Sequence, residues 1–202
     1  MPQSPLEHLR GVLNPVDAPV PDDAGLRRAA VALVLHPSAD GPQLLMIRRA
    51  EREGDPWSGH MAFPGGREES GDGHPRRTAI RETQEELGLG LDDDAALGTL
   101  APVITPSFGR SPQLIVRPWV FGLHAPAPLT PNVEVAAAHW FALERFLRGE
   151  GRDTFPYDYH GHKIELPCVR LDDTFIWGMS LRIIDDLTER LSGVRPPEER
   201  LW

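Results

Sequence analysis

The stretch from Gly65 to Leu89 constrains this chain more than any other. A double glycine, Gly65-Gly66, opens a polar loop that runs to His74. Pro75 is a good first helical residue and Gly88 a usual terminator, so a helix is predicted from about Pro75 to Leu87. Glu82, Glu85 and Glu86 stand at i, i+3 and i+4, which puts all three carboxylates on one face. Like charges at that spacing cost a few tenths of a kcal/mol per pair on a bare helix. Arg81, four residues before Glu85, offsets one of those terms. Ala79, Thr83 and Leu87 form a small, mostly apolar stripe on the other side. The helix therefore has one face to pack on a sheet and one that concentrates negative charge.

A solvated acidic face is the ordinary meaning of a run such as Glu-x-x-Glu-Glu. The surroundings point elsewhere, because this helix follows a glycine-rich turn that itself follows a short apolar strand, Met61 to Phe63. Backbone and carboxylates can then converge on one pocket. Oxygen-only ligands suit Mg²⁺ or Mn²⁺, which in turn bind phosphate oxygens. Glycines let the backbone approach an ion or ligand with no Cβ in the way.

The remaining chain supplies a sheet for that helix. Ser4-Pro5 with Leu6, Leu9 and Leu13 predicts a short first helix, and residues 14–25, with Pro15, Pro19, Pro21 and three aspartates, read as a linker. The apolar runs Ala29 to Leu35 and Leu44 to Ile47, separated by Pro37-Ser-Ala-Asp-Gly-Pro42, predict a hairpin of buried strands. Residues 50–60 read as a loop. Further strands are expected near 96–104, 113–123 and 133–141, then a short helix from Leu143 to Leu147. A polar hairpin near 155–169, turning at His160-Gly161, and an amphipathic helix from Ile176 to Leu191 follow. The fold class is α/β, a mixed sheet with helices on both faces. The expected organisation is a short helix and linker over 1–25, one domain over 26–192 and a loose tail over 193–202.

Composition removes several classes of function. The net charge of −9 argues against gripping nucleic acid by its backbone. An enzyme of anionic substrates would need cations to reverse the field locally. No apolar run reaches the roughly 18 residues of a membrane helix, and the first residues lack the pattern of a secretory leader. Cys168 is the only cysteine, so no disulfide framework exists, and a cytoplasmic setting is expected. The thiol lies in an apolar run and reads as core filler.

The segment resembles the Nudix box, written G-x5-E-x7-R-E-U-x-E-E-x-G-U with U a bulky aliphatic. Gly66, Arg81, Glu82, Glu85, Glu86, Gly88 and Leu89 match it. Asp72 stands where the first glutamate is expected, eight residues rather than seven separate it from Arg81, and Thr83 fills an aliphatic position. The resemblance implies an α/β/α sandwich around a mixed sheet and metal-dependent cleavage of a diphosphate. It implies Glu82 and Glu86 as ligands of Mg²⁺ or Mn²⁺, joined by the Gly66 carbonyl, and Glu85 as a further ligand or the base that activates water. Arg81 would orient a glutamate, and Asp72 would hold Arg81 or the loop.

A narrower resemblance is to the coenzyme A diphosphatases of that family. It rests on Leu44-Leu45 through Gly59-His-Met-Ala-Phe63-Pro64-Gly65-Gly66, on Thr78 through Glu86, and on Ile176-Trp177-Gly178-Met179. Arg49 replaces the Ser or Ala favoured there, about two extra residues precede Gly59, and Asp55 rather than an arginine falls four residues before it. The implied substrate is coenzyme A or an acyl derivative, a small-molecule nucleotide. ADP-ribose or a dinucleoside polyphosphate is the alternative within the enzyme class, and a nucleotide-sensing module the alternative outside it. Arg48, Arg49, Arg67 and Arg110 are candidate phosphate contacts, and a homodimer is compatible with this reading. Trp57 suits a turn-packing role, Trp177 a core position on the last helix, and Glu134 is an alternative base.

Overall fold

Every residue from Ala29 to Leu35 is apolar because the strand that holds them is covered on both faces. In the computed structural model, which describes residues 5–21, 23, 25–55, 57–105, 113–159 and 161–194, this is β1 (Arg27–His36), at the middle of an eight-stranded sheet. Ala30, Ala32 and Val34 face one core, with Ala79 and Leu87 of the glutamate helix. Leu33 and Leu35 face a second core, with Leu9, Leu13, Leu181, Ile184 and Leu187. Each fully buried leucine contributes about 1.5–3 kcal/mol relative to exposure.

The expected hairpin forms: β1 pairs antiparallel with β2 (Gln43–Arg49), which also pairs with β3 (Met61–Ala62) and β8 (Val135–Ala142). On the other side β1 runs parallel to β7 (Leu114–Gly122), which pairs with β5 (Ala96–Thr99) and β6 (Val103–Ile104). A parallel neighbour requires a long crossover, and the glutamate helix α2 (Pro75–Leu87) lies within it. The glycine turn is more ordered than a loop. Gly65–Arg67 forms a strand, β4, in register with Val31, Ala30 and Ala29 of β1.

Helix α1 (Pro5–Val12) forms as expected, and its Leu9 and Leu13 are buried in the second core. The proline-rich segment after it is tied down rather than loose. Asn14 and Thr99 exchange backbone hydrogen bonds at 3.0 Å, and Asp23 pairs with Arg117. Helix α3 (Leu143–Leu147) follows β8 directly. The later hairpin, β9 (Arg152–Tyr159) and β10 (His162–Leu171), gains a third strand, β11 (Thr174–Trp177).

That third strand corrects the start of the last helix. Ile176 and Trp177 belong to β11, and α4 covers Gly178–Ser192. Thr174-Phe-Ile-Trp is β-branched and aromatic, so cross-strand pairing with β10 prevails over helical periodicity. Gly178, at φ +62°, makes the break. His160 and the tail from 195 lie outside the described residues. Among the described residues no helix is long and apolar enough to cross a membrane.

Candidate active site

Helix α2 is bounded by local chemistry. His74 caps its start, with Nδ1 accepting from the Arg76 N–H at 3.2 Å, and Gly88 closes it in the left-handed region at φ +65°. Ala79, Thr83 and Leu87 are wholly buried, as their stripe predicted. The three glutamates do not share one environment. Glu86 is 4% exposed, the Glu82 side chain 18% and that of Glu85 55%.

The glycine strand meets the buried pair. The Gly65 N–H donates to Oε2 of Glu86 at 3.0 Å. Glu82 lies against Gly66 so closely that a Cβ on Gly66 would come within 2.3 Å of Oε1. Glycine at 66 therefore makes room for a carboxylate, and the helix face and the turn converge as the sequence suggested.

Arg81 ties helix to loop. Its Nε and Nη2 donate to the two Asp72 oxygens at 3.0 Å each, and Nη2 also donates to the Arg67 carbonyl at 3.1 Å. Its Nη1 reaches Glu82 at 2.9 Å and Glu85 at 3.3 Å. Asp72 in addition accepts from the Thr78 hydroxyl at 2.8 Å and the Glu69 N–H at 2.9 Å.

Electrostatics separate these acids. Burial pushes the Glu86 carboxyl up to about 7, against the Gly65 N–H, and the charges of Glu82 and Glu134 push the same way. Burial also raises Glu82, opposed by Arg81. Hydrogen bonds from Arg81 hold Asp72 well below the usual carboxylate range. Glu82 thus acts on Glu86, Glu85 acts on Glu82, and both Glu82 and Glu86 feel the charge of Glu134. The loop that brings it there is fixed to the helix end: Asn132 N donates to Glu86 O at 2.8 Å, and the Asn132 side chain receives the Glu134 N–H at 2.8 Å.

The candidate arginines are not equivalent. Arg49 is close enough to lower the Glu86 pKa, and its Nη2 is 2.6 Å from Asp55. The two positions that depart from the resemblance are therefore partners. Nε of Arg49 is buried with no hydrogen-bond partner. Arg48 lies 3.9 Å from Asp173 in the turn between β10 and β11, and the Arg67 side chain is exposed beside the glycine strand. Arg110 lies outside the described residues. His60, absent from the sequence-based candidates, sits next to this group: its carbonyl accepts from the Arg49 N–H at 3.0 Å. A lone histidine in a turn has no spacing signal that would have singled it out.

The donor set fits a hard divalent cation. Among the described residues no group of three or more His, Cys, Asp and Glu side chains is already gathered as a cage. Arg81 holds Glu82 and Glu85, and the Gly65 N–H holds Glu86. That suits an ion such as Mg²⁺, which takes one or two carboxylates and completes its shell with water and phosphate oxygens. Burial raises both carboxyls, only partly opposed by Arg81 at Glu82 and by the Gly65 N–H at Glu86, and a bound cation would favour their charged forms.

The sequence pattern described as the NUDIX domain matches residues 26–157. An uncharacterised protein of Schizosaccharomyces pombe is 35% identical over 151 residues, 65% of this chain and 46% of that protein. The peroxisomal coenzyme A diphosphatase ndx-8 of Caenorhabditis elegans is 33% identical over 75% of this chain and 64% of its own length. For the mitochondrial coenzyme A diphosphatase NUDT8 of Homo sapiens the figures are 32%, 78% and 68%. The chain thus spans about half to two thirds of the length of these relatives. Among solved structures, the NUDIX domain of Shewanella oneidensis NrtR, crystallised with ADP ribose, superposes with a TM-score of 0.57. That likeness covers 83% of this chain and 89% of that one at 14% identity, and it concerns the fold. The matched segment runs from the central strand through the glutamate helix into β9, more than half of the chain, and the chain belongs to the Nudix family.

Proposed function

We propose that this chain hydrolyses the diphosphate linkage of coenzyme A or an acyl derivative, releasing 3′,5′-ADP and 4′-phosphopantetheine or its acyl form. The observation that carries the reading is the meeting of Glu82 and Glu86 with the Gly65-Gly66 strand. It is a converged pair of carboxylates, Glu86 buried and Glu82 partly so, beside a backbone that admits close approach. Mg²⁺ or Mn²⁺ would be held by Glu82 and Glu86, with Glu85 and the Gly66 carbonyl as further ligands. Such an ion supplies charge neutralisation to the diphosphate and makes water acidic enough to attack at neutral pH.

The protein's own groups do the rest. Arg81, fixed by Asp72, orients Glu82 and Glu85. Glu85, where it is not a ligand, takes the proton from the attacking water, with Glu134 as the alternative acceptor. Water adds to one phosphorus, the bridging P–O bond breaks, and the other phosphoryl group leaves with that oxygen. Arg49 would meet the diphosphate, with Arg48, Arg67 and Arg110 as further cationic contacts to its phosphates. Relatives named coenzyme A diphosphatases support the substrate, and one buried thiol suits a reducing cytoplasm.

Arg49 paired with Asp55 favours a second reading, because both depart from the narrower resemblance in the stretch expected to read the substrate. ADP-ribose or a dinucleoside polyphosphate would then be preferred. The test is kcat/KM for coenzyme A, dephospho-coenzyme A, ADP-ribose and diadenosine polyphosphates, with Mg²⁺, with Mn²⁺ and in excess EDTA, with products identified by mass. Coenzyme A should lead by tenfold or more, about 1.4 kcal/mol in the transition state, and EDTA should abolish turnover. ADP-ribose leading by that margin overturns the substrate. Undiminished hydrolysis in EDTA overturns the mechanism, and tight binding without turnover makes the chain a sensing module.

A further inference from the structure

A row of aromatic rings begins beside the carboxylate site, and the reaction as proposed does not use it. In the three-stranded sheet the register sets Tyr157 opposite Ile164, Phe155 opposite Leu166, Trp177 opposite Cys168 and Phe175 opposite Arg170. Residues 164, 166, 168 and 170 alternate onto one face of β10, so all four rings share it. The other face carries Val169, Leu171 and Ile176 into the core beneath α4. The ring face lies outward, with Leu166 and Cys168 buried beneath half-exposed Phe155, Tyr157, Phe175 and Trp177.

The rings touch edge to face or tilted. Phe155 and Trp177 are 5.2 Å apart, Tyr157 and Trp177 5.7 Å, and Phe155 and Phe175 5.1 Å. His60 extends the row at 5.2 Å from Trp177, and Trp57 ends it at 5.9 Å from His60. Here the row meets the site, because His60 is hydrogen-bonded through its carbonyl to Arg49 and feels the charges of Arg49 and Asp55. Burial holds the His60 imidazole below its ordinary value, against the pull of Asp55 and with a smaller push from Arg49. Arg170 shares the ring face, but it lies 4.8 Å over Phe175 and is paired with Asp153 at 3.2 Å.

We propose that His60, Trp177, Tyr157 and Phe155 form the subsite for the uncharged arm of the diphosphate substrate, an amide-rich or acyl chain, and not for its nucleotide half. The inference rests on the diphosphatase reading and adds where each half of the substrate goes. His60 joins the Arg49 end of the site to these rings, through its backbone bond to Arg49 and its contact with Trp177. The surface there is aromatic and its rings already pack on one another, so an amide chain or alkyl group buries area with little reordering of the protein. A phosphorylated ribose would need a cation, and Arg170, the arginine on this face among the described residues, is committed to Phe175 and Asp153.

The experiment titrates the metal-loaded full chain calorimetrically with 4′-phosphopantetheine and, separately, with 3′,5′-ADP. Wild type, Trp177→Ala and Tyr157→Ala are compared, each checked for a cooperative thermal transition. The expected result is at least tenfold weaker 4′-phosphopantetheine binding in Trp177→Ala, a smaller loss in Tyr157→Ala, and 3′,5′-ADP within twofold of wild type in both. Tyr157→Ala decides the matter if Trp177→Ala does not fold. Unchanged 4′-phosphopantetheine binding in a folded variant, equal loss of both ligands, or a wild type that binds neither overturns the assignment. Because the titration needs no turnover, a wild type that fails to cleave coenzyme A yet loses 4′-phosphopantetheine with Trp177 fells the hydrolase reading and leaves this one standing. Full cleavage of coenzyme A with ring-independent binding does the reverse.

Discussion

Asp72 accepts from both Nε and Nη2 of Arg81, at 3.0 Å each, so one guanidinium pins the glycine loop to the glutamate helix. The eight-residue spacing still brings the shorter aspartate side chain into two-pronged reach. It also leaves Nη1 free to bond Glu82 and Glu85. A departure from the family pattern in the loop thus preserves the contact that orients the carboxylates.

Asp72→Ala should destabilise the protein by about 2–3 kcal/mol, the range for losing charge-assisted hydrogen bonds where partly buried partners remain. The Asp72 side chain is 8% exposed and that of Arg81 23%, so solvent replaces the contact poorly. Urea unfolding at pH 7 measures this. The sign with pH is fixed, because the folded Asp72 pKa is depressed. Its contribution is present above the ordinary carboxylate value and is lost as pH falls toward the folded one. In the variant, the loss of stability below about pH 4 should be shallower than in wild type. An unchanged urea midpoint would leave Asp72 no structural role.

Glu86 gives the opposite slope. Its carboxyl is raised from 4.5 to about 7 by burial. Between those values the folded state binds more protons than the unfolded, so stability falls as pH rises. For metal-free protein this amounts to about 3 kcal/mol between pH 4.5 and 7.5, at 1.36 kcal/mol per pKa unit. Glu86→Gln should flatten that slope and be the more stable chain at pH 7.5 without metal. Added Mg²⁺ should restore wild-type stability at high pH and do little for the variant. Thermal melts across pH, with EDTA and with Mg²⁺, check all of this, and a flat wild-type profile would contradict it.

The chemistry was legible where a short segment carries both its own structure and its own function. Pro75 and Gly88 bound α2 at the expected residues, and the stripe Ala79, Thr83, Leu87 is buried as its spacing required. Depth was not legible. Periodicity places Glu82, Glu85 and Glu86 on one face, but only the approach of Gly65 and of the loop around Asn132 makes Glu86 a buried acid and Glu85 an exposed one. Long-range pairing was not legible either. Ile176 and Trp177 fit a helical pattern, and their strand exists because β10 is there to pair with it. Arg49 and Asp55 looked like two unrelated departures and are one ion pair.

Neighbouring glycines should respond differently to alanine. At Gly65, φ is +152° and a Cβ would come within 2.4 Å of the Ala30 carbonyl and 2.6 Å of the Val31 Cα, both backbone atoms. Gly65→Ala should therefore disturb β1–β4 pairing and lower stability by more than about 2 kcal/mol. At Gly66 the obstructing atoms belong to the end of the Glu82 side chain, which can move. Gly66→Ala should keep stability within about 1 kcal/mol while displacing that carboxylate and lowering kcat at least tenfold, a barrier increase of about 1.4 kcal/mol. Melting and turnover measured on both variants test the contrast, and equal effects on both would show that Gly66 is not there for Glu82.

Removing the charge of each glutamate in turn should separate their tasks. Glu82→Gln and Glu86→Gln keep shape, and the amide oxygen at 86 can still accept from Gly65, so both should fold. Each takes away a hard anionic ligand, and charge stabilisation of this kind is worth about 3–4 kcal/mol, or two to three orders of magnitude in kcat. The concentration of Mg²⁺ giving half-maximal activity should also rise. Glu85 is exposed and bonded only to Arg81 among the described residues. If it takes the proton from water, Glu85→Gln lowers kcat by a comparable factor and leaves the Mg²⁺ dependence unchanged. If it is a ligand, the Mg²⁺ requirement rises as it does for the other two. Steady-state rates over a Mg²⁺ titration, with Glu134→Gln beside them, decide which carboxylate accepts the proton. Near wild-type turnover in Glu82→Gln or in Glu86→Gln would remove that glutamate from the metal site.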